Sequence, residues 1–182
     1  MRYSGVNAAK SIVLIGMMGA GKSSVGRCLQ RRTGLARLDT DEMVATQFGV
    51  PIAQIFERHG EEGFRDAETE VLRKLAPDRP AIIVTGGGIV LRPQNVDRLK
   101  ALGAVVWLSA DKAKLFERAS RRNDRPLLQK ENPRAVFSEL FREREMLYAA
   151  AADLRVDTST KTHDEVAEAI LNKLEEFIAL HQ

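Results

Sequence analysis

Residues 11–26 read SIVLIGMMGAGKSSVG: four consecutive apolar residues, a glycine-rich turn, then a lysine and two serines. An unbroken apolar run suits a strand buried on both faces of a parallel sheet. The next eight residues, 16–23, fit the pattern G-x-x-x-x-G-K-[ST], which here follows a predicted strand and opens a predicted helix. Glycines let successive backbone N–H groups turn inward around phosphate oxygens, and the first turn of the helix adds the positive end of its dipole. Gly19, Ala20, Gly21, Lys22, Ser23 and Ser24 are the candidate loop residues. Lys22 is expected to reach the terminal phosphates and the Ser23 hydroxyl to bind magnesium. The stretch predicts a nucleoside triphosphate site.

Working outward, short apolar runs recur: LARLD at 35–39, AIIVTGGG at 81–88, AVVWLS at 104–109 and LRVDT at 154–158. Amphipathic segments lie between them, among them 62–75 and 164–180. In the last, Val166, Ile170, Leu174, Phe177 and Ile178 form one stripe, which reads as core packing. Strand–helix alternation of this kind predicts an α/β fold with helices on both faces of a parallel sheet. Two parts exceed a minimal alternation. One is a helical excursion at about 40–75. The other is RRNDRPLLQKENP at 121–133, polar, basic and broken by Pro126 and Pro133, in a region (about 119–133) expected to be a lid.

With 182 residues, 44% hydrophobic and 29% charged, the chain has the composition of one ordinary globular domain. A net charge of +3 is mild, and aromatics make up only 5%, which counts against a general nucleic-acid binder. The single cysteine, Cys28, permits no intrachain disulfide and reads as a small core residue. The apolar run after the first ten residues is too short for a signal peptide or a membrane span, so a cytoplasmic protein without membrane contact is expected. No D-x-x-G occurs, and the nearest match to a guanine-reading N-K-x-D, NKLE at 172–175, falls on an amphipathic helix. A GTPase is therefore disfavoured.

Ligands of a parallel sheet gather beyond the carboxyl ends of its strands. Three groups are expected there beside the phosphate loop. Asp39 and Asp41 flank Thr40; if Leu38 ends a strand, alternation sends both carboxylates to one side. Gly86, Gly87 and Gly88 follow AIIVT and leave backbone N–H groups uncovered, so a ligand can press against the chain. Arg65, in GEEGFRDAE, opens a long helix.

At GMMGAGKSS, LDTD, GFRDAE, GGGIV, RPLL and REREMLY the chain resembles the shikimate kinases, in family order and over about residues 11–178. The resemblance implies a three-layer P-loop kinase fold, with a five-stranded parallel sheet in the order 2-3-1-4-5, a helical substrate-binding excursion and a lid. It implies transfer of the γ-phosphoryl group of ATP to the 3-hydroxyl of shikimate, with magnesium. It also implies roles: Asp39 holds magnesium through water, while Asp41 contacts the shikimate hydroxyls as base or as the group that orients them. Arg65 and Arg144 take the substrate carboxylate, with Gly86 and Gly87 beside them. Arg125 closes over the ATP phosphates, and Arg118 lies against adenine.

One departure concerns the nucleotide. Where the family usually has a proline, this chain has His163, which leaves Lys161 a weak candidate for an adenine contact. Two rivals are weighed: a kinase for another polyhydroxylated acid such as gluconate or quinate, and a nucleotide-dependent RNA-binding module. ATP and shikimate are the expected partners, and a monomer the expected state.

Overall fold

A computed structural model describes residues 10–121, 126–128 and 131–180. Among the described residues five strands alternate with seven α-helices: β1 (Ser11–Ile15), α1 (Lys22–Thr33), β2 (Ala36–Asp39), α2 (Thr40–Phe48), α3 (Ile52–Lys74), β3 (Ala81–Val84), α4 (Pro93–Leu102), β4 (Gly103–Ser109), α5 (Lys112–Ser120), α6 (Pro133–Ala151), β5 (Leu154–Asp157) and α7 (His163–Leu180). The strands form one parallel sheet in the order β2-β3-β1-β4-β5, as the resemblance implies. In register, Val13 lies between Ile83 and Val105. β1 is thus the centre. Its neighbours β3 and β4 leave it on opposite sides, and the loops at its carboxyl end open the crevice where α/β ligands bind.

The main core is the sheet itself. Every residue of β1 and β3 is buried, and α1, α4 and α7 cover the faces with Val25, Leu29, Leu99, Val166, Ile170 and Leu174. Cys28 is buried in this core, as its sequence position suggests. A second apolar cluster, Val44, Ile55, Phe64, Ala67 and Val71, joins α2 to α3. The excursion therefore carries a small core of its own, which lets it project its polar face without unravelling.

One expectation is corrected here. The strand stops at Asp39, so alternation does not set the direction of Asp41: Asp39 is the N-cap of α2, its Oδ1 accepting the Asp41 N–H at 3.2 Å. The two aspartates belong to different elements, which is why they can do different jobs. The long helix expected to open near Arg65 begins after a break. Gly60, at φ 70° and ψ −177°, breaks α3, and Arg65 lies on its second half. Among the described residues no helix is long and apolar enough to cross a membrane.

Candidate active site

The phosphate loop spans the gap between β1 and α1. Gly19 and Gly21 have φ of 86° and 89°, values that an L side chain rarely adopts, so the inward turn of the loop depends on them. Lys22 folds its ammonium back onto the loop, donating to the carbonyls of Gly16 at 2.7 Å and Met17 at 3.2 Å. These carbonyls hold the charge in place beside the loop it is to serve. Ala20 closes a turn onto the Met17 carbonyl at 3.1 Å, and Ser24 accepts from Arg27 at 3.2 Å on the outer side of α1.

Ser23 Oγ stands 3.4 Å from Asp39 Oδ2. A hydroxyl and a carboxylate so placed fit magnesium, which takes few protein ligands and keeps several waters. Asp39 is only 7% exposed, and Arg37 pairs with the same oxygen at 2.9 Å while reaching Glu42 at 2.9 Å. Arg37 is a cation that sequence reading passed over. It lies two residues from Asp39 on the same strand, a spacing that puts both side chains on one face.

Beside this lies a denser cluster. Arg65 is 6% exposed and bonds Glu68 and, at 3.0 Å, Glu61. Arg144, 1% exposed, approaches Glu61 at a long 3.9 Å. Among the described residues the Nε atoms of Arg65 and Arg144, and Glu68 Oε1, make no hydrogen bond. Buried polar atoms without partners are costly, so these three mark a place where something polar is to arrive. The glycine loop closes the other side. A side chain at Gly88 would collide with the Arg65 guanidinium, and one at Gly86 with Glu68 and Asp41. A Cβ on Gly87 would come 3.5 Å from the Met18 nitrogen and 3.6 Å from the Gly16 carbonyl oxygen. The glycine loop thus packs directly on the phosphate loop, and the two halves of the crevice share a wall.

Glu68 was missed in the sequence, although Arg65 and Glu68 at i, i+3 on one helix face could have shown it. Burial pushes its carboxyl up to about 7; Arg65 opposes this, Asp41 adds to it and Arg144 opposes it. The consequence for stability has a definite sign. Between the ordinary glutamate value of 4.5 and about 7 the folded protein holds a proton that the unfolded chain has lost. Stability therefore falls as pH rises through that window and levels off above it, by on the order of 1–3 kcal/mol. Asp157, Glu165 and Glu70 are all lowered by hydrogen bonds and titrate below the window. Urea unfolding from pH 5 to pH 8 is expected to show this slope, and Glu68→Gln to flatten it. An equal slope in both proteins would remove the assignment.

At the far side, Arg118 donates to the carbonyls of Thr158 at 2.9 Å and Ser159 at 3.3 Å, anchoring α5 to the loop after β5. Lys161 is exposed on that loop. The His163 ring lies 3.3 Å from where a Cβ on Gly21 would stand, so the residue in place of the family proline touches the phosphate loop. Arg125 and five other positions of the expected lid, 122–124, 129 and 130, lie outside the described residues.

Comparison with known proteins follows the same lines. A family model described as shikimate kinase matches residues 18–175. The shikimate kinase of Thermodesulfovibrio yellowstonii is 43% identical over 166 residues, 91% of this chain and 95% of that one. A solved structure of shikimate kinase from Acinetobacter baumannii in complex with shikimate superposes with a TM-score of 0.88 at 36% identity, covering 92% of this chain and 93% of that one. A gluconokinase from Sinorhizobium meliloti gives 0.57 at 18% identity over 100% of this chain and 99% of that one, a likeness of fold alone.

Proposed function

From the premise that this chain belongs to the shikimate kinase family and phosphorylates shikimate at the expense of ATP, we propose how its residues divide the work. The observation that carries the division is the pair of buried guanidiniums, Arg65 and Arg144, which both approach Glu61, with Arg65 packed against Gly88 of a glycine loop whose Gly87 lies on the phosphate loop. Planar forks suit a carboxylate, and two of them fix both the position and the orientation of a ring that bears one. The shikimate carboxylate is received by Arg65 and Arg144 with Gly86 and Gly87 beside them. Its 3-hydroxyl then faces Asp41.

The nucleotide takes the other half. Gly19, Ala20, Gly21, Lys22, Ser23 and Ser24 receive its phosphates, while Arg118 and Lys161 lie at the adenine end. Ser23 and, through water, Asp39 would hold magnesium, which supplies neutralising charge to the phosphate oxygens. Phosphoryl transfer asks the protein chiefly for alignment and electrostatic stabilisation. Asp41 handles the attacking hydroxyl, Lys22 meets the charge growing on the transferring group, and Arg125 closes over it from a lid at about 119–133. The unit so described spans residues 1–182, with the excursion at about 40–75. It works as a cytoplasmic monomer on ATP and shikimate, not on nucleic acid or membranes.

Coupled ADP release with ATP and magnesium, across shikimate, quinate, gluconate and nucleoside monophosphates, tests the acceptor. Shikimate is expected to be by far the fastest, and equal turnover of another acceptor would reject the reading. Arg65→Ala tests the division itself. Loss of a charge-assisted hydrogen bond costs about 1.5–3 kcal/mol, roughly 10- to 100-fold, and is expected in shikimate use with ATP affinity spared. Separate titration of each substrate decides it; a defect confined to ATP would move Arg65 to the other half of the site.

A further inference from the structure

We propose that Tyr148 is a positioning residue for the acceptor: its hydroxyl ties the glycine loop to α6, so that Gly87 and Arg144 meet the substrate carboxylate as one preformed unit. The inference rests on the placement of that carboxylate given above.

The backbone of the loop leads to it. Of the three glycine carbonyls, Gly86 accepts from Ile89 N–H at 3.4 Å and Gly88 from Leu91 N–H at 3.0 Å. The middle one, Gly87, accepts from the Tyr148 hydroxyl. Three consecutive glycines have more conformational freedom than any other tripeptide, and a backbone that is to grip an anion must lose that freedom. Losing it before the ligand arrives is what preorganisation means. Two of the three peptide planes are fixed by the turn that follows, and the remaining one by a side chain 61 residues away.

Tyr148 is itself held. It is buried in the core, its ring stacks on Trp107 of β4 at 6.0 Å between centroids, and its oxygen stands 3.9 Å from the Met17 sulfur of the phosphate loop. Burial pushes its ionisation well above the ordinary phenol value, so the hydroxyl keeps its proton and stays a donor. Packing alone would be served by phenylalanine. A buried hydroxyl needs a partner, and here the partner is the one loop carbonyl that the local turn leaves over. Tyr148 also lies four residues after Arg144 on α6, one turn along the same face. The helix that presents the guanidinium therefore also holds the glycine.

Tyr148→Phe removes the tie and keeps the ring. The KM for shikimate is expected to rise about tenfold, with the KM for ATP within about twofold and kcat changed much less than the shikimate KM. An unchanged shikimate KM, or equal loss in both substrates, would overturn the proposal. Arg144→Ala, measured alongside, separates the two levels. If it leaves shikimate KM unchanged, the placement of the carboxylate is wrong and the proposal falls with it. If it raises that KM while Tyr148→Phe does not, the placement stands and only the tie is lost.

A second measurement keeps the test open should Tyr148→Phe fail to fold. The chain has two tyrosines, Tyr3 and Tyr148. Fluorotyrosine incorporation gives two fluorine resonances, assigned with Tyr3→Phe. That of Tyr148 is expected to shift when shikimate saturates the protein and to stay in place with ADP. A resonance indifferent to shikimate, or moved equally by ADP, counts against the proposal.

Discussion

Replacing Lys22 by alanine is expected to lower kcat by about 10²–10³-fold while leaving the melting temperature close to that of the unaltered protein. The magnitude is that of removing one preorganised donor from a transition state that concentrates charge on a few oxygens. The fold should survive because Lys22 stabilises no core: its ammonium rests on the carbonyls of Gly16 and Met17, and the turn is set by the glycines. Those two bonds show how the charge is kept ready. An ammonium bonded to loop carbonyls is already oriented toward phosphates that settle in the same loop, so little reorganisation is needed when they arrive. The defect belongs to turnover more than to shikimate KM, since Lys22 lies on the nucleotide side of the shared wall. Steady-state kinetics with a melting curve decides it. A properly folded Lys22→Ala protein with near-normal kcat would remove Lys22 from the chemistry.

The parts of this molecule legible in the sequence are those written locally. The phosphate loop is one: strand, glycines, lysine and serine lie within sixteen residues, and each has a backbone reason to be there. Buried parallel strands are another, because apolar runs bounded by glycines survive any tertiary arrangement. What escaped was set by contacts across the chain or by exact element ends. Sequence reading passed over Tyr148, whose hydroxyl meets Gly87 across the chain, and Glu68, which α3 turns inward. Asp41 was given its direction by strand alternation, which does not reach it, because Asp39 caps a helix where it ends the strand. Periodicity gives elements. It does not say which buried carbonyl is left over for a distant side chain to satisfy.

That corrected position of Asp41 supports the other large effect. Asp41→Asn is expected to lower kcat by about 10²–10⁴-fold with a shikimate KM changed only a few-fold, the range for loss of a positioned general base. As the second residue of α2, Asp41 has its backbone N–H fixed by the Asp39 cap, and its Oδ1 would lie 2.6 Å from a Cβ on Gly86. Its carboxylate is therefore held at the glycine loop, on the acceptor side of the wall shared with the phosphate loop. Asparagine preserves shape and still accepts a hydrogen bond through its oxygen, so it can orient a hydroxyl; it cannot take the proton. The size of the loss thus separates two roles. A fall beyond about a hundredfold assigns proton acceptance to Asp41. A fall under about tenfold means that Asp41 only aligns the hydroxyl, in which case the proton leaves with the phosphoryl group and the base assignment is to be abandoned. Neighbouring Glu68 sharpens the reading, because its burial leaves a second carboxyl group beside Asp41 whose charge changes near pH 7. Measured at pH 8, above that window, the Asp41→Asn loss is free of the proton held at Glu68 and reports on Asp41 alone.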